Sequence, residues 1–206
     1  MERRLADLLG PAEKYQVRIR GSRDPDLVRG MARRVEVEGR RIYAQEQLRI
    51  ERLTLLIEDL RYTGGEPYFI SVGRTDLLVE ITEAAVNEYL HTYQARYDPE
   101  VRFRPEQVEV RMTYKFLGAP TPLRALGRFV IQDGQRLNFV ASEADVPFIN
   151  ADQPEFRRRF VEDRVNPLLD LRRIEFPARL RSVELLPGRL RARGTAELPS
   201  EVNNEG

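Results

Sequence analysis

Long stretches in which apolar and polar residues alternate are the feature that most constrains how this chain of 206 residues folds. The clearest stretch is 108–116, where Val, Val, Met, Tyr and Phe alternate with Glu, Arg, Thr and Lys. Successive side chains of a β-strand point to opposite faces of a sheet, so this pattern predicts a strand with one buried face. Related patterns predict further strands at 15–20, 35–44, 48–58, 68–81, 128–132, 136–140, 180–185 and 189–196.

Turn signals divide these strands. Asp133-Gly134 and Pro187-Gly188 each predict a hairpin, because such pairs adopt the positive φ angles of tight turns. The segment 118–122, with one glycine and two prolines, predicts a break between strands. Near Arg52 the apolar residues change from one strand face to the other, which predicts a β-bulge, and the leucines that follow on both faces indicate a strand covered on both sides.

Two amphipathic helices are predicted. The first follows Thr82, which is a suitable N-cap, and carries an apolar stripe at Val86, Tyr89, Leu90 and Tyr93. The second covers 153–165 and ends before Asn166-Pro167. Its residues predicted to face inward are Phe156, Phe160, Val161 and Val165. Shorter helices are predicted at 2–9 and after Asp24-Pro25.

The order of these elements predicts the fold class. Strands greatly outnumber helices and do not alternate regularly with them, which favours an α+β fold with a mainly antiparallel sheet. No linker or repeat divides the chain. We therefore predict one domain over 1–198 and a disordered tail over 199–206.

The composition excludes several kinds of chemistry. The chain contains no cysteine and a single histidine, His91, so disulfides, thiol nucleophiles, iron–sulfur ligation and histidine-rich metal sites are ruled out. It has neither a P-loop nor a Gly-x-Ser-x-Gly motif. The acidic pairs at 58–59 and 143–145 are typical of solvated strand ends. We predict that the protein is not an enzyme and holds no metal or cofactor.

Arginine dominates the charged residues, with 32 Arg and 2 Lys. The segment 157–193 has eleven arginines and five acidic residues, although the net charge of the whole chain is only +1. Such a basic segment suits anionic lipid headgroups, nucleic acid or a solvated face. No aromatic and basic strand motif of the kind that stacks bases is present. We therefore predict that nucleic acid is not a partner, and nucleic-acid binding is kept as the less favoured alternative.

The sequence contains no run of eighteen apolar residues and no secretory signal, so no transmembrane helix is expected. The chain as given is expected in the cytoplasm or at a membrane periphery. If an export segment precedes it in the natural protein, the cell envelope is expected instead.

Residues 77–90, with Ile81-Thr82-Glu83 leading into Val86-Asn87, resemble the strand-into-helix segment of the LmeA-like phospholipid-binding family. Residues 177–196 are similar to the closing hairpin of that family, and the opening order is also similar, with a strand at 17–20 and Leu-Val-Arg-Gly at 27–30. The resemblance covers 15–198. It implies a strongly curved antiparallel sheet wrapped around a helix, as in tubular lipid-binding (BPI-like) folds, with short flanking helices, an acyl-chain cavity and no catalysis.

On this basis we predict binding, or binding and transfer, of a phospholipid or another acyl-chain lipid in an apolar groove. The predicted wall residues are Leu55, Ile57, Val79, Val86, Leu90, Val110, Met112, Tyr114, Phe129 and Phe139. Arg157, Arg158 and Arg159 are predicted to meet the anionic headgroup or membrane surface, where each cation contributes about 1 kcal/mol. A scaffold of the same fold with a filled core and no ligand is the main alternative.

Overall fold

The computed structural model describes residues 11–20, 27–44, 48–63, 68–150, 152–173, 177–197 and 201–202. The strands are β1 (Ala12–Arg20), β2 (Met31–Ala44), β3 (Leu48–Thr63), β4 (Tyr68–Ser71), β5 (Arg74–Thr82), β6 (Glu100–Arg104), β7 (Gln107–Phe116), β8 (Ala119–Gln132), β9 (Arg136–Asp145), β10 (Leu169–Asp170), β11 (Ala178–Leu186), β12 (Arg189–Ala196) and β13 (Glu201–Val202). The helices are α1 (Glu83–Tyr93) and α2 (Pro154–Val165), with 3₁₀ helices at Ala95–Tyr97 and Leu171–Arg173.

The strands form two antiparallel sheets. The large sheet runs β1–β2–β3–β5–β12–β11, with β4 paired to β3 and β13 paired to β4. The small sheet runs β10–β9–β8–β7–β6 and is curled into a half-barrel. Most neighbours are hairpin partners, but β12 pairs with β5, a strand more than a hundred residues earlier in the chain. The prediction of an α+β fold with a curved, mainly antiparallel sheet is confirmed.

Helix α1 lies where the two sheets meet. Its N-terminus forms at Thr82, whose Oγ1 accepts a hydrogen bond from the Ala85 backbone N at 3.2 Å, as predicted. One side of α1 packs on β3 and β5 of the large sheet, and another packs on β6 of the small sheet. Val86 and Leu90 are buried, whereas Tyr93, predicted to belong to the same stripe, is 40% exposed.

Among the described residues, a hydrophobic cluster connects the two sheets, α1 and α2. Leu55 and Val79 enter it from the large sheet, Val110 and Phe139 from the small sheet, and Val161 from α2. Strand β11 packs against β6 and β8, which brings an edge of the large sheet onto the small one.

The change of face predicted near Arg52 is present, but it is not a register shift. Buried positions pass from Leu48 and Ile50 to Leu53 and Leu55. The partners of β3 nevertheless continue in register, because β2 changes face at the same place, where Arg41 has a φ of 50°. The β-bulge prediction is therefore wrong: two paired strands change face together.

The predicted turns are confirmed at both hairpins. Asp133 and Gly134 have positive φ angles in the β8–β9 loop, and Pro187-Gly188 connects β11 to β12. The predicted break at 118–122 is wrong beyond Gly118, because β8 begins at Ala119 and includes both prolines. There β8 pairs only with β7, since its pairing with β9 begins at Arg124, so no second neighbour needs the missing proline N–H groups.

Some predictions fall outside the described residues: the helix at 2–9, the cap at Asp24-Pro25 and most of the tail. Within the tail predicted to be disordered, Glu201 and Val202 pair with β4. The domain bounds stay a prediction.

Candidate functional site

The ten predicted wall residues lie in the hydrophobic cluster. Nine of them are buried, with exposed fractions of 6% or less, and Tyr114 is half-buried. Met112 also lines a surface pocket of about 440 Å³, and Phe129 lines another of about 420 Å³. A packed core and the wall of a closed cavity both bury residues in this way, so the acyl-chain wall stays a prediction.

The three arginines predicted to meet a membrane have different surroundings on α2. Arg157 is half-buried, and its Nε and Nη2 donate hydrogen bonds to the Ile149 carbonyl oxygen at 3.0 and 2.6 Å. Arg158 is half-buried and Arg159 is exposed. Their role at a membrane stays a prediction, and Arg157 already has a structural contact.

Phe156 was predicted to face inward, and this prediction is wrong, because its side chain is 58% exposed. Only the second half of α2 lies on the small sheet. Its buried residues are Val161 and Val165, and Glu162 accepts a hydrogen bond from the Ala141 backbone N of β9. The first turn, with Phe156, remains at the surface beside Arg159.

A groove of about 620 Å³ lies on the face of the large sheet opposite the hydrophobic cluster. Four exposed arginines, Arg34, Arg74, Arg181 and Arg193, line it together with the half-buried Leu56 and Leu78. We call this site the arginine groove. Its other lining residues are Glu36, Thr54, Asp76, Leu77, Ser182 and Gly194.

Strand alternation and register together build the arginine groove. Leu55 and Ile57 are buried in the cluster, so Leu56 between them points to the other face. One row of cross-strand partners runs from Thr54 through Leu78 and Arg193 to Ser182. Adjacent strands lie about 4.8 Å apart, so the groove crosses about 19 Å of sheet between β2 and β11.

An irregularity in β11 directs one of these arginines. Leu180 pairs with Gly194 and Ser182 pairs with Arg193, so Arg181 is an extra residue between them. Such a bulge turns a side chain away from the regular alternation. Both Arg181 and Ser182 consequently line the groove.

Gly194 allows β11 to approach closely at this point. A Cβ atom on Gly194 would lie 2.0 Å from the Arg179 carbonyl oxygen, so an added methyl group would force the two strands apart. We expect Gly194→Ala to lower the free energy of unfolding by about 2 kcal/mol in urea denaturation. Gly188→Asn is the control in the same hairpin, because nothing lies within 4 Å of its Cβ position and asparagine tolerates its φ of 69°. Equal stability of both variants would contradict this account.

The arginines of the groove differ in how they are paired. Arg74 donates two hydrogen bonds to Asp76 Oδ1, at 2.9 and 2.7 Å. Arg193 lies 3.6 Å from a Glu184 carboxylate oxygen. Within the described part of the chain, Arg34 and Arg181 make no ion pair and no side-chain hydrogen bond. These two guanidinium groups, one on β2 and one on β11, remain available to an anion.

In a second arginine cluster, every guanidinium group is paired with a carboxylate. The fully buried Glu109 accepts hydrogen bonds from Arg104, Arg111 and Arg124 at 2.6–2.9 Å. Burial alone would raise the pKa of Glu109, but these hydrogen bonds outweigh it and hold the pKa at about 2. All three arginines are paired with Glu109, and the cluster connects β6, β7 and β8.

Sequence reasoning missed both the arginine groove and the Glu109 cluster. Two signals pointed towards the groove: the excess of arginine in 157–193, which contains Arg181 and Arg193, and leucines on both faces of β3. The sequence does not show which strands are neighbours in the sheet, so these two signals could not be combined into one site. Glu109 carried no signal, because it occupies a polar position in a regular alternation.

In the described ranges, no group of three or more acidic or histidine side chains is arranged to hold a metal ion. None of the helices in the same ranges is both long and apolar enough to cross a membrane.

Comparison with known proteins gives one positive result. The family model described as LmeA-like phospholipid-binding matches residues 1–195 of the 206 in the chain. No curated protein matches, and no solved structure matches. The match confirms the resemblance carried by residues 77–90 and 177–196, since it includes nearly all of both segments. The chain belongs to the LmeA-like phospholipid-binding family.

Proposed function

We propose that the protein binds an anionic phospholipid without catalysis in the arginine groove, with the phosphate at Arg34 or Arg181 and the first part of the acyl chains on Leu56 and Leu78. The observation that carries this proposal is the pair of available guanidinium groups beside an apolar surface in one groove. The family is a phospholipid-binding family, which supports the same ligand class.

The chemistry of the groove suits a lipid headgroup. A guanidinium group is planar and permanently charged, and it can donate two parallel hydrogen bonds to phosphate oxygens. The half-buried leucines would be shielded from water by hydrocarbon, which stabilises the complex by about 25 cal/mol per Å² of apolar surface. The lining residues include no aromatic side chain on which a nucleic-acid base could stack.

We also propose that the two sheets and α1 form a tubular lipid-binding fold. Three features support it: the half-barrel curvature, the position of α1 between the sheets, and a hydrophobic cluster that is continuous through both. The ten residues predicted as a wall are then a second proposed location for acyl chains. Transfer between membranes would follow if the bound lipid exchanges.

Calorimetric titration with monomeric dihexanoyl phosphatidylglycerol tests the groove. We expect the double variant Arg34→Gln/Arg181→Gln to bind about tenfold more weakly than the wild type, because two charge-assisted hydrogen bonds to phosphate are lost at exposed positions. Leu56→Ser/Leu78→Ser should also weaken binding, and the zwitterionic phosphatidylcholine analogue should bind more weakly than the anionic lipid.

The matched control is Arg128→Gln/Arg189→Gln, which removes the same charge from exposed arginines outside the groove. An equal loss of affinity in the control would show that only net charge matters and would contradict the proposed site. Native mass spectrometry of protein purified from cells gives an independent result. Absence of any bound lipid, together with no titration signal, would favour the ligand-free scaffold instead.

A further inference from the structure

The tip of the β7–β8 hairpin carries an apolar side chain that the fold does not use. Leu117 is 92% exposed and Phe116 is 40% exposed, and Leu117 and Gly118 form the turn with φ angles of 50° and 85°. A positive φ disfavours leucine, and such turns usually hold asparagine, aspartate or glycine. Leu117 therefore adds strain and exposed hydrocarbon to the folded protein without a contact that offsets them.

The tip is held in place by an aromatic cluster. The ring of Phe116 stacks on Phe148 with centroids 4.8 Å apart, and Phe148 meets Phe160 of α2 edge-on at 5.3 Å. Tyr114 also contacts both Phe148 and Phe160. These contacts connect the base of the hairpin tip to α2, so the direction of the tip is set by packing.

The same end of α2 presents further apolar and charged groups. Phe156, one helical turn before Phe160, is 58% exposed. The exposed cations nearest in sequence to these apolar groups are Lys115, beside the hairpin tip, and Arg159 on α2, with Arg158 half-buried. Two acidic residues, Asp152 and Glu155, line the same pocket as Phe156. Cations therefore accompany the apolar groups, with a partial acidic counterbalance on α2.

We propose that the β7–β8 tip docks the protein on an anionic bilayer, with Leu117 in the hydrocarbon and Lys115 and Arg159 at the level of the phosphates. This inference rests on the proposed function, because a protein that binds phospholipid has to meet a bilayer to load or release it. A single protruding leucine offers far less area than the roughly 800 Å² per partner of a stable protein interface. Insertion into a bilayer needs no such complementary surface.

The absence of tryptophan from the chain makes a direct test possible. Leu117→Trp places a single tryptophan at the tip, and Val28→Trp places one at another apolar position, 87% exposed, as the matched control. With vesicles of phosphatidylglycerol and phosphatidylcholine, we expect the emission of Leu117→Trp to shift to shorter wavelength and to be quenched by brominated acyl chains. Val28→Trp should show neither change. Unchanged emission of vesicle-bound Leu117→Trp, or equal quenching of both variants, would overturn the proposal.

A second variant separates the tip from the groove. Leu117→Asp should lower partition onto these vesicles about tenfold, because the variant has no leucine side chain to move from water into the hydrocarbon. Its affinity for monomeric dihexanoyl phosphatidylglycerol should be unchanged. Arg34→Gln/Arg181→Gln should instead bind the monomeric lipid more weakly and partition onto the vesicles as the wild type does. If Arg34→Gln/Arg181→Gln binds the monomeric lipid as tightly as the wild type, the proposed function is overturned. If Leu117→Asp partitions onto vesicles as well as the wild type, the proposed docking by the hairpin tip is overturned. A smaller oligomer in Leu117→Asp would overturn it too, by identifying a self-association surface.

Discussion

Glu109→Gln is expected to lower the free energy of unfolding by about 3 kcal/mol at pH 7. Removing one partner of a buried ion pair costs about 3–5 kcal/mol, and the lower value applies because the three arginines that surround Glu109 are about half exposed to solvent. Urea denaturation of both proteins measures this difference. The matched control is Glu106→Gln, an exposed glutamate in the turn before β7, for which we expect a change below about 0.5 kcal/mol.

The dependence on pH gives the same prediction a second readout. A carboxyl group whose pKa is lower in the folded protein stabilises the fold above its ordinary pKa, and this stabilisation is lost as the pH falls through its folded value. For Glu109 the interval runs from 4.5 to about 2. The difference between the wild type and Glu109→Gln should therefore be constant from pH 7 to about pH 5 and shrink below it. A difference that stays constant down to pH 2 would show that the charge of Glu109 is not the cause.

Phe139→Ala is expected to lower the free energy of unfolding by about 3–5 kcal/mol, the usual cost of removing a buried aromatic ring from a packed core. Phe139 is fully buried, and its ring packs where a Cβ on Gly127 would lie, 2.7 Å away. Its backbone is also anchored, because Asn166 accepts from its N–H at 2.6 Å and donates to its carbonyl at 2.7 Å. Urea or thermal denaturation measures the loss.

Phe156→Ala is the matched control, since the same ring is removed from a position that is 58% exposed, and we expect a change below about 1 kcal/mol. The pair also bears on the predicted acyl-chain wall. If Phe139 lined an empty cavity, its ring would have fewer packed neighbours, and the measured cost would fall towards the transfer free energy alone, about 2–3 kcal/mol. Such a value would count against a solid core at this position.

Several predictions that depend on local geometry agree with the structure. The alternation at 108–112 buries Val108, Val110 and Met112, and Thr82 caps α1. Both hairpins form at the predicted Gly-containing pairs. Each of these features requires only residues within a few positions of one another, because side-chain direction and turn geometry are properties of the local backbone.

Predictions that depend on distant neighbours were incomplete. The inward position of Phe156 was inferred from helical periodicity, but how far α2 extends along the small sheet decides whether that face is covered. The bulge at Arg52 was inferred from β3 alone, whereas β2 changes face beside it. The arginine groove needs Arg34 on β2 to share a face with Arg181 on β11. These two strands belong to one sheet only because β3, β5 and β12 pair in order between them.

The amino-acid sequence by itself determined which face of each strand is apolar, where the chain turns, and that the protein resembles a phospholipid-binding family. The tertiary structure alone decided which polar faces meet, which arginines are paired with Glu109, and which two remain available in the groove. The physical reason is that a strand with alternating residues can pair with many others at similar free energy. Its neighbours, and therefore the charges across from it, are chosen by the packing of the whole chain.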